Sequence, residues 1–434
     1  MLHEDRNWWK RFHKGLAEQS RFITCSPPPE VDQPTYKIVG EVERVDQRDT
    51  IQSRMMIKDP NSPEYQDYYS RHPEFKEIDD KNRAILKKSL KKHFTVDPLG
   101  AHFQSNVFAT RHVLGLPEMI EPGREGTPLW QTMKTDLKQT PPEIFTNRIK
   151  DYAEFLGITK VRIAALKKEW VYTHYAHPYT PYPYGRKVDD MDYPYVICLA
   201  MRQNLAVMRA GDHYVLCIEV GWRYALTSLA AFTLANLIRS WGFRARPLPS
   251  ENAPYMVVPT FIDAGMGEQG RMGICVTKEF GNCFRPAAVA TDMPMVPDKP
   301  VDFGLQEFCE TCKICVEACP VGAITKQGRV KRRGVYRWQV DDQKCRAFWD
   351  RRGRPCGICQ VSCPWNFEGT SFHNLIREMN QRSKLFWKPS IWGHKLFYRR
   401  KNWNPDPRWA FGPIGAIGGT GELPLTEEDE ITHS

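Results

Sequence analysis

No stretch of this 434-residue chain is long and apolar enough to cross a membrane as a helix. The most apolar window, ALTSLAAFTLANLI at 225–238, is short and carries Thr227, Ser228, Thr233 and Asn236, so it reads as a buried helix. The opening MLHEDRNWWKRFHKG has no apolar h-region and no twin-arginine pair, so nothing in it directs export. No G-x-G-x-x-G follows a strand, and no internal repeat is visible beyond a doubled cysteine motif. Acidic residues are the minority, leaving a net charge of +10, which could suit nucleic acid. The densest basic segment, 326–354, however lies between the two cysteine runs, where docking of an acidic electron donor or plain solubility explains it as well. No nucleic-acid partner is expected.

What is present is a soluble-type composition, 41% apolar and 26% charged, in a chain too long for one hydrophobic core. Four regions are predicted. Residues 1–140 are polar and rich in proline and turn residues (SPPPEVDQP, KDPNSPEY, GREGTP), with one persuasive helix from Glu77 to His93, and read as a wrapping segment. From 141 to 300 the pattern becomes α/β. EIFTNRIKDYAEFLG is helical and stops at Gly157, KVRIAAL and YVICLAM read as strands, and a tyrosine- and proline-rich loop, HYAHPYTPYPYG, separates them. A long apolar helix containing Tyr224 ends at a Gly242 cap, before strands at FRARPL and GICVT. Residues 301–370 hold the cysteine runs as a compact ferredoxin-like unit, and 371–434 form an aromatic, then glycine-rich, C-terminal segment expected to pack on the core.

The first run, CETCKICVEACP at 309–320, has the spacing C-x2-C-x2-C-x3-C-P, in which three thiolates clasp one cubane and the fourth serves a second cluster. A second run is therefore required, and Cys345, Cys356, Cys359 and Cys363 supply it, with Pro364 behind the last. That rule crosses the ligands. Cys309, Cys312, Cys315 and Cys363 are assigned to one [4Fe-4S] cluster, and Cys345, Cys356, Cys359 and Cys319 to the other. Zinc would want two C-x2-C pairs without a third cysteine or a following proline. Cys25, Cys198, Cys217, Cys275 and Cys283 remain, scattered, and read as small buried hydrophobes.

A ferredoxin that only carries electrons needs far fewer residues, so the remainder should house an electron acceptor. The segment FIDAGMGEQGRMGICVTKEFGNCFRPAAVATDMPM, 261–295, carries Gly265, Gly267, Gly270 and Gly273, which allow close backbone approach to a flat or phosphorylated ligand. Followed by the two cluster runs, AGMGEQGRMG and the downstream R and TDMP resemble the corrinoid-dependent reductive dehalogenases of organohalide-respiring bacteria. The likeness covers roughly residues 140–370.

That resemblance implies an α+β fold: a nitroreductase-like α/β core binding a base-off corrinoid through those glycines, a ferredoxin-like unit with two [4Fe-4S] clusters, and a long irregular N-terminal wrap. Consistent with base-off binding, D-x-H-x-x-G is absent; the nearest approach, TRHVLG, has Thr110 where the aspartate before His112 would stand. The reaction implied is replacement of halogen by hydrogen, using two electrons and one proton. By position, the family's proton-donating tyrosine maps to Tyr224, with Asn252 and Arg285 beside it. A free tyrosine has a pKa of about 10, and a guanidinium nearby would favour its phenolate. Each has a plainer reading: a surface helix aromatic for Tyr224, a turn residue for Asn252, an ordinary ion pair for Arg285. Trp365 could shield a cluster or simply pack.

The resemblance further implies a small organohalide substrate, with chlorinated aliphatics favoured, a low-potential electron donor, a small membrane-anchor subunit and a place at the outer face of the cytoplasmic membrane. The chain would then be a mature form that has lost its leader. A homodimer is left open. Two alternatives stand beside it: an epoxyqueuosine reductase-like enzyme acting on tRNA, and a non-catalytic electron-transfer subunit with two clusters.

Overall fold

The computed structural model describes residues 25–57, 59–96, 137–176, 183–209, 211, 214–249, 253–366 and 371–398. The described N-terminal part contains β1 (Lys37–Ile38) and three helices, α1 (Ile51–Met56), α2 (Pro63–Arg71) and α3 (Pro73–Val96). The sequence suggested only the last. The two shorter helices start at Thr50 and Ser62, whose side-chain oxygens accept from the backbone N–H groups of Ser53 and Tyr65. Such caps help, but helices this short depend on tertiary packing, which periodicity cannot show. Here that packing includes a buried ion pair, Arg54 to Asp79 at 3.0 Å, with the Tyr69 hydroxyl donating to the same carboxylate at 3.0 Å.

The central unit runs through α4 (Pro142–Phe155), β2 (Lys160–Ala165), β3 (Tyr195–Arg202), α5 (Leu205–Met208), α6 (Tyr214–Ser240), β4 (Ala245–Leu248), α7 (Val257–Asp263), β5 (Glu268–Gln269), β6 (Cys275–Val276) and β7 (Phe284–Thr291). Four of these strands form an antiparallel sheet in the order β2-β3-β7-β4. Alternation divides its side chains between two cores. Ile163, Ile197, Leu199, Met201, Ala287 and Val289 pack under α4 and α6, while Ala164, Val196, Cys198, Ala200, Ala288 and Ala290 face Tyr255, Phe261, Met266 and Phe280. The sheet is thus covered on both faces, which explains why β3 is apolar throughout rather than alternating.

β7 is the element the sequence concealed. Pro286 argues against an interior strand because it cannot donate to a ladder. It nevertheless sits opposite Ala200 in a strand paired on both sides, because β4 meets β7 only from Ala288 onward. The expected strands at FRARPL and GICVT shrink to Ala245–Leu248 and Cys275–Val276. The helix through Tyr224 forms as expected, and Gly242 beyond it takes a left-handed φ of 89°.

Next come α8 (Leu305–Cys312), α9 (Ile314–Ala318), the hairpin β8 (Val330–Arg332) and β9 (Val335–Arg337), α10 (Asp342–Arg352) and α11 (Ile358–Val361). The hairpin turns through Arg333 and Gly334, both at positive φ, as a two-residue primed turn requires. β1 pairs with β9, and the Thr173 N–H donates to the Val45 carbonyl at 2.9 Å, so the described N-terminal chain contacts both the central and the cysteine-bearing units. Finally α12 (Ser371–Arg382) and α13 (Trp387–Phe397) pack on the cysteine unit and the core. Lys278, fully buried, pairs with Glu378 of α12 at 2.9 Å and donates to the Ser26 carbonyl at 2.8 Å. Among the described residues no helix is long and apolar enough to cross a membrane.

Candidate functional site

Six of the eight thiols of the two runs lie in or against one apolar core. Cys312, Cys315 and Cys363 are buried with Val301, Phe303, Phe308, Trp365 and Trp387, and Cys309, Cys319 and Cys359 pack against them. Within electrostatic reach, Cys363 feels Cys309, Cys312 and Cys315; Cys345 feels Cys319; and Cys359 feels Cys356, Cys315, Cys345 and Cys319, thiols of both proposed ligand sets. Burial pushes the Cys309, Cys312 and Cys315 thiols up to about 12 and Cys345 to about 11. Thiolates there require positive charge between them, which cluster iron supplies. Among the described residues no three His, Cys, Asp or Glu side chains converge on one ion. Of the other five cysteines, Cys198, Cys217, Cys275 and Cys283 are buried and Cys25 is partly exposed; none is bridged. Trp365 packs edge-on against Phe303 and Phe308, with ring centroids 5.0 and 5.8 Å away.

Two polar clamps join the cysteine unit to the core, and sequence reasoning missed both. The second run ends in CPWN, and Asn366 is its grip. Its Oδ1 accepts from the backbone N–H groups of Asn282 at 2.7 Å and Cys283 at 3.2 Å, and its Nδ2 donates to Asn282 Oδ1 at 2.7 Å. Gly281 makes this possible, since a β-carbon there would lie 2.0 Å from Asn366 Oδ1. Nearby, the Gly357 N–H donates to the Gly211 carbonyl at 2.9 Å, beside the start of α6. The other clamp comes from the glycine-rich segment. Glu268 accepts from the N–H groups of Phe303 at 2.8 Å and Leu305 at 3.2 Å, at the start of α8. Arg271 donates to the Cys309 carbonyl at 2.9 Å and to the carbonyls of Thr325 and Gln327. The available signal was the placing of Glu268 and Arg271, both charged and almost fully buried, within an otherwise core-like stretch.

The four glycines of that segment are explained by the chain itself. A β-carbon would fall 2.0 Å from the Lys299 carbonyl oxygen at Gly265 and 2.1 Å from the Val276 carbonyl oxygen at Gly267. At Gly270 it would meet the Val276 side chain at 2.8 Å, and at Gly273 the Val340 side chain at 3.3 Å. Close approach is what they permit, as expected, but the approaching atoms described here are protein.

The structure brings two of the three proposed catalytic residues together. Tyr224 projects from α6, half-buried, and the Arg285 guanidinium on β7 lies 5.0 Å from the centre of its ring. Arg285 Nε is buried without a hydrogen-bond partner, and among the described residues no carboxylate pairs with Arg285. Gln203, just past β3, donates its N–H to the Cys283 carbonyl at 2.9 Å. Its side chain is 2% exposed, with both amide atoms unpartnered. Thus unsatisfied polar groups gather where the second clamp residue, Cys283, meets β7 and α6. Asn252 and His112 lie outside the described residues.

Residues 308–367 match the 4Fe-4S dicluster domain family, a range that includes all eight thiols. That domain is joined here to an α+β core. The chain is 32% identical over 284 residues, 58% of its own length and 56% of the relative's, to the tetrachloroethene reductive dehalogenase of Sulfurospirillum multivorans. It matches the solved structure of a reductive dehalogenase, described as suggesting a mechanism for B12-dependent dehalogenation, with a TM-score of 0.66. That match is at 23% identity over 86% of this chain and 49% of the other. An epoxyqueuosine reductase of Cyclobacterium marinum is 30% identical over 122 residues, 27% of this chain and 38% of that protein. The resemblance read from the cysteine runs and the glycine-rich segment therefore holds, and the chain spans about half the length of the first curated relative it matches.

Proposed function

We propose that this protein is a reductive dehalogenase: a carbon–halogen bond breaks, a carbon–hydrogen bond forms, halide leaves, and two electrons and one proton are consumed. The observation that carries this reading is Arg285 over Tyr224, beside the point where the second cysteine run clamps onto the core. Cys309, Cys312, Cys315 and Cys363 would hold one [4Fe-4S] cluster and Cys345, Cys356, Cys359 and Cys319 the other, which when bound would supply single electrons.

A corrinoid fits the unsatisfied groups of the core. Its rim of amide arms would pair with the Gln203 amide and Arg285 Nε, both buried without partners. When bound, it supplies low-valent cobalt able to cleave the carbon–halogen bond. Base-off binding and a nitroreductase-like core are what the family resemblance implies, and the missing D-x-H-x-x-G motif agrees with the first. The segment containing Gly265, Gly267, Gly270 and Gly273 would border the cofactor by shaping the junction between core and cluster unit. Tyr224 donates the proton from its hydroxyl, and the Arg285 charge stabilises the phenolate left behind. Asn252 is the third residue the family resemblance assigns to this step.

The substrate we favour is a small chlorinated aliphatic. A low-potential donor, a small membrane-anchor subunit and a place at the outer face of the cytoplasmic membrane are the family-based expectations. Metal analysis with a paired activity assay tests the reading. Chain purified without oxygen from a corrinoid-competent host should carry about eight irons for two cubanes, together with cobalt, and should release chloride from chlorinated ethenes or alkanes. Iron without cobalt would point to an electron carrier, and turnover of epoxyqueuosine in tRNA to the second enzyme class.

A further inference from the structure

Arg271 is a buried cation without a described counter-anion. Its side chain is 1% exposed, its hydrogen bonds go to three neutral carbonyls, and its guanidinium stacks over the Trp338 ring at 4.1 Å. Among the described residues no carboxylate forms an ion pair with it. A buried charge left unpaired in this way is strongly unfavourable, so the position calls for negative charge close by. The groups within electrostatic reach are Cys309, Cys315, Glu310 and Cys312, so three of the four belong to the first cysteine run. A cubane with four thiolate ligands is a net anion, more so after reduction.

We propose that Arg271 sets the reduction potential of the cluster held by Cys309, Cys312, Cys315 and Cys363, holding it above the value it would have without that charge. This rests on reading those thiols as cluster ligands. The added electron makes the cluster more negative, and a fixed cation at its edge favours the reduced form; net charge and hydrogen bonding are established controls of such potentials. No proton moves and no bond changes. Glu268, beside Arg271 in the chain, holds the start of α8 through two backbone N–H groups and so fixes the run against the cation. The glycine-rich segment is thereby assigned a redox role distinct from cofactor contact: it delivers one charge from the core into the cluster unit.

The test is an EPR-monitored redox titration with mediators on anaerobic, cluster-loaded full chain, comparing wild type with Arg271→Gln and Arg271→Lys. Arg271→Gln is expected to lower the midpoint of one cluster and leave the other unmoved, while Arg271→Lys, which keeps the charge, stays closer to wild type. Unmoved midpoints in Arg271→Gln, or equal shifts in both variants, would overturn the proposal. Should Arg271→Gln lose iron, Arg271→Lys decides: both clusters retained at near wild-type potentials supports a role for charge, whereas matching iron loss assigns Arg271 to packing alone and overturns it. A wild-type chain with far fewer than about eight irons would instead defeat the cluster reading on which the proposal stands.

Discussion

The Arg285 guanidinium lies over the ring of Tyr224, 5.0 Å from its centre, although one residue belongs to a strand and the other to the helix packed across it. Met201 stands opposite Arg285 in the β3–β7 ladder and sends its side chain into the core beneath α6. Sheet register therefore sets the distance between cation and phenol. Among the described residues no carboxylate pairs with Arg285, and the proposed role of its charge is to stabilise a Tyr224 phenolate.

Removing the phenol should remove the proton. Tyr224→Phe is expected to reduce dehalogenation by about 10²- to 10⁴-fold or more, the range for a lost general acid, with cluster and corrinoid spectra unchanged. Arg285→Met should cost a comparable factor and shift the pH dependence of turnover upward, because the phenol then ionises less readily. Anaerobic halide-release assays across pH check both, and full activity in Tyr224→Phe would take the tyrosine out of the mechanism.

The crossed ligand assignment makes a non-additive prediction. Cys319→Ser and Cys345→Ser should each damage the same cluster, so the double variant should still hold about four irons. If each run instead kept its own cluster, the double variant would damage both. Iron content with Mössbauer spectra distinguishes the two patterns.

His394 on α13 should make the fold sensitive to mild acid. Burial lowers its pKa from the ordinary 6.5 to about 4, even though a Ser362 backbone contact acts the other way. The folded state therefore resists a proton that the unfolded chain accepts. Stability is fully present above about 6.5 and falls as pH drops toward 4, by up to about 3 kcal/mol. Glu268, raised by burial to about 7, has the opposite effect, losing stability as pH rises from about 4.5 to 7. Subtracting His394→Asn denaturation curves from wild type isolates the histidine; a difference that stays flat from pH 7 to 4 would show that it does not titrate this way.

Gly267 should not tolerate a β-carbon. Alanine there would press against the Val276 carbonyl at 2.1 Å, a backbone atom that cannot swing aside. Gly267→Ala should destabilise the chain by about 1–3 kcal/mol, the usual range for overpacking, and loosen the glycine-rich segment that carries Glu268 and Arg271. Gly157→Ala is a useful contrast: nothing lies within 4 Å of that position, so strain at φ 88° is its only penalty. Thermal melts of the two variants compare collision with backbone strain.

By itself the sequence determined the 4Fe-4S dicluster domain, because most of its cysteine spacing, and the proline behind each run, are set by a few consecutive residues. It also determined the helix through Tyr224 and the strands around Val196 and Val161, where apolar runs end in recognisable stop signals. Tertiary structure alone decided the rest. Pro286 hid β7, since a residue that cannot donate is tolerated only where neighbouring pairing is known. The role of Gly265 and Gly267 depended on which atoms approach them, and those belong to Lys299 and Val276, distant or differently folded parts of the chain. Asn366 could not be recognised as a clamp until Asn282 and Cys283 were placed against it. Spacing encodes chemistry that neighbours perform together, whereas contacts between distant segments exist only after burial has chosen the register and the facing surfaces.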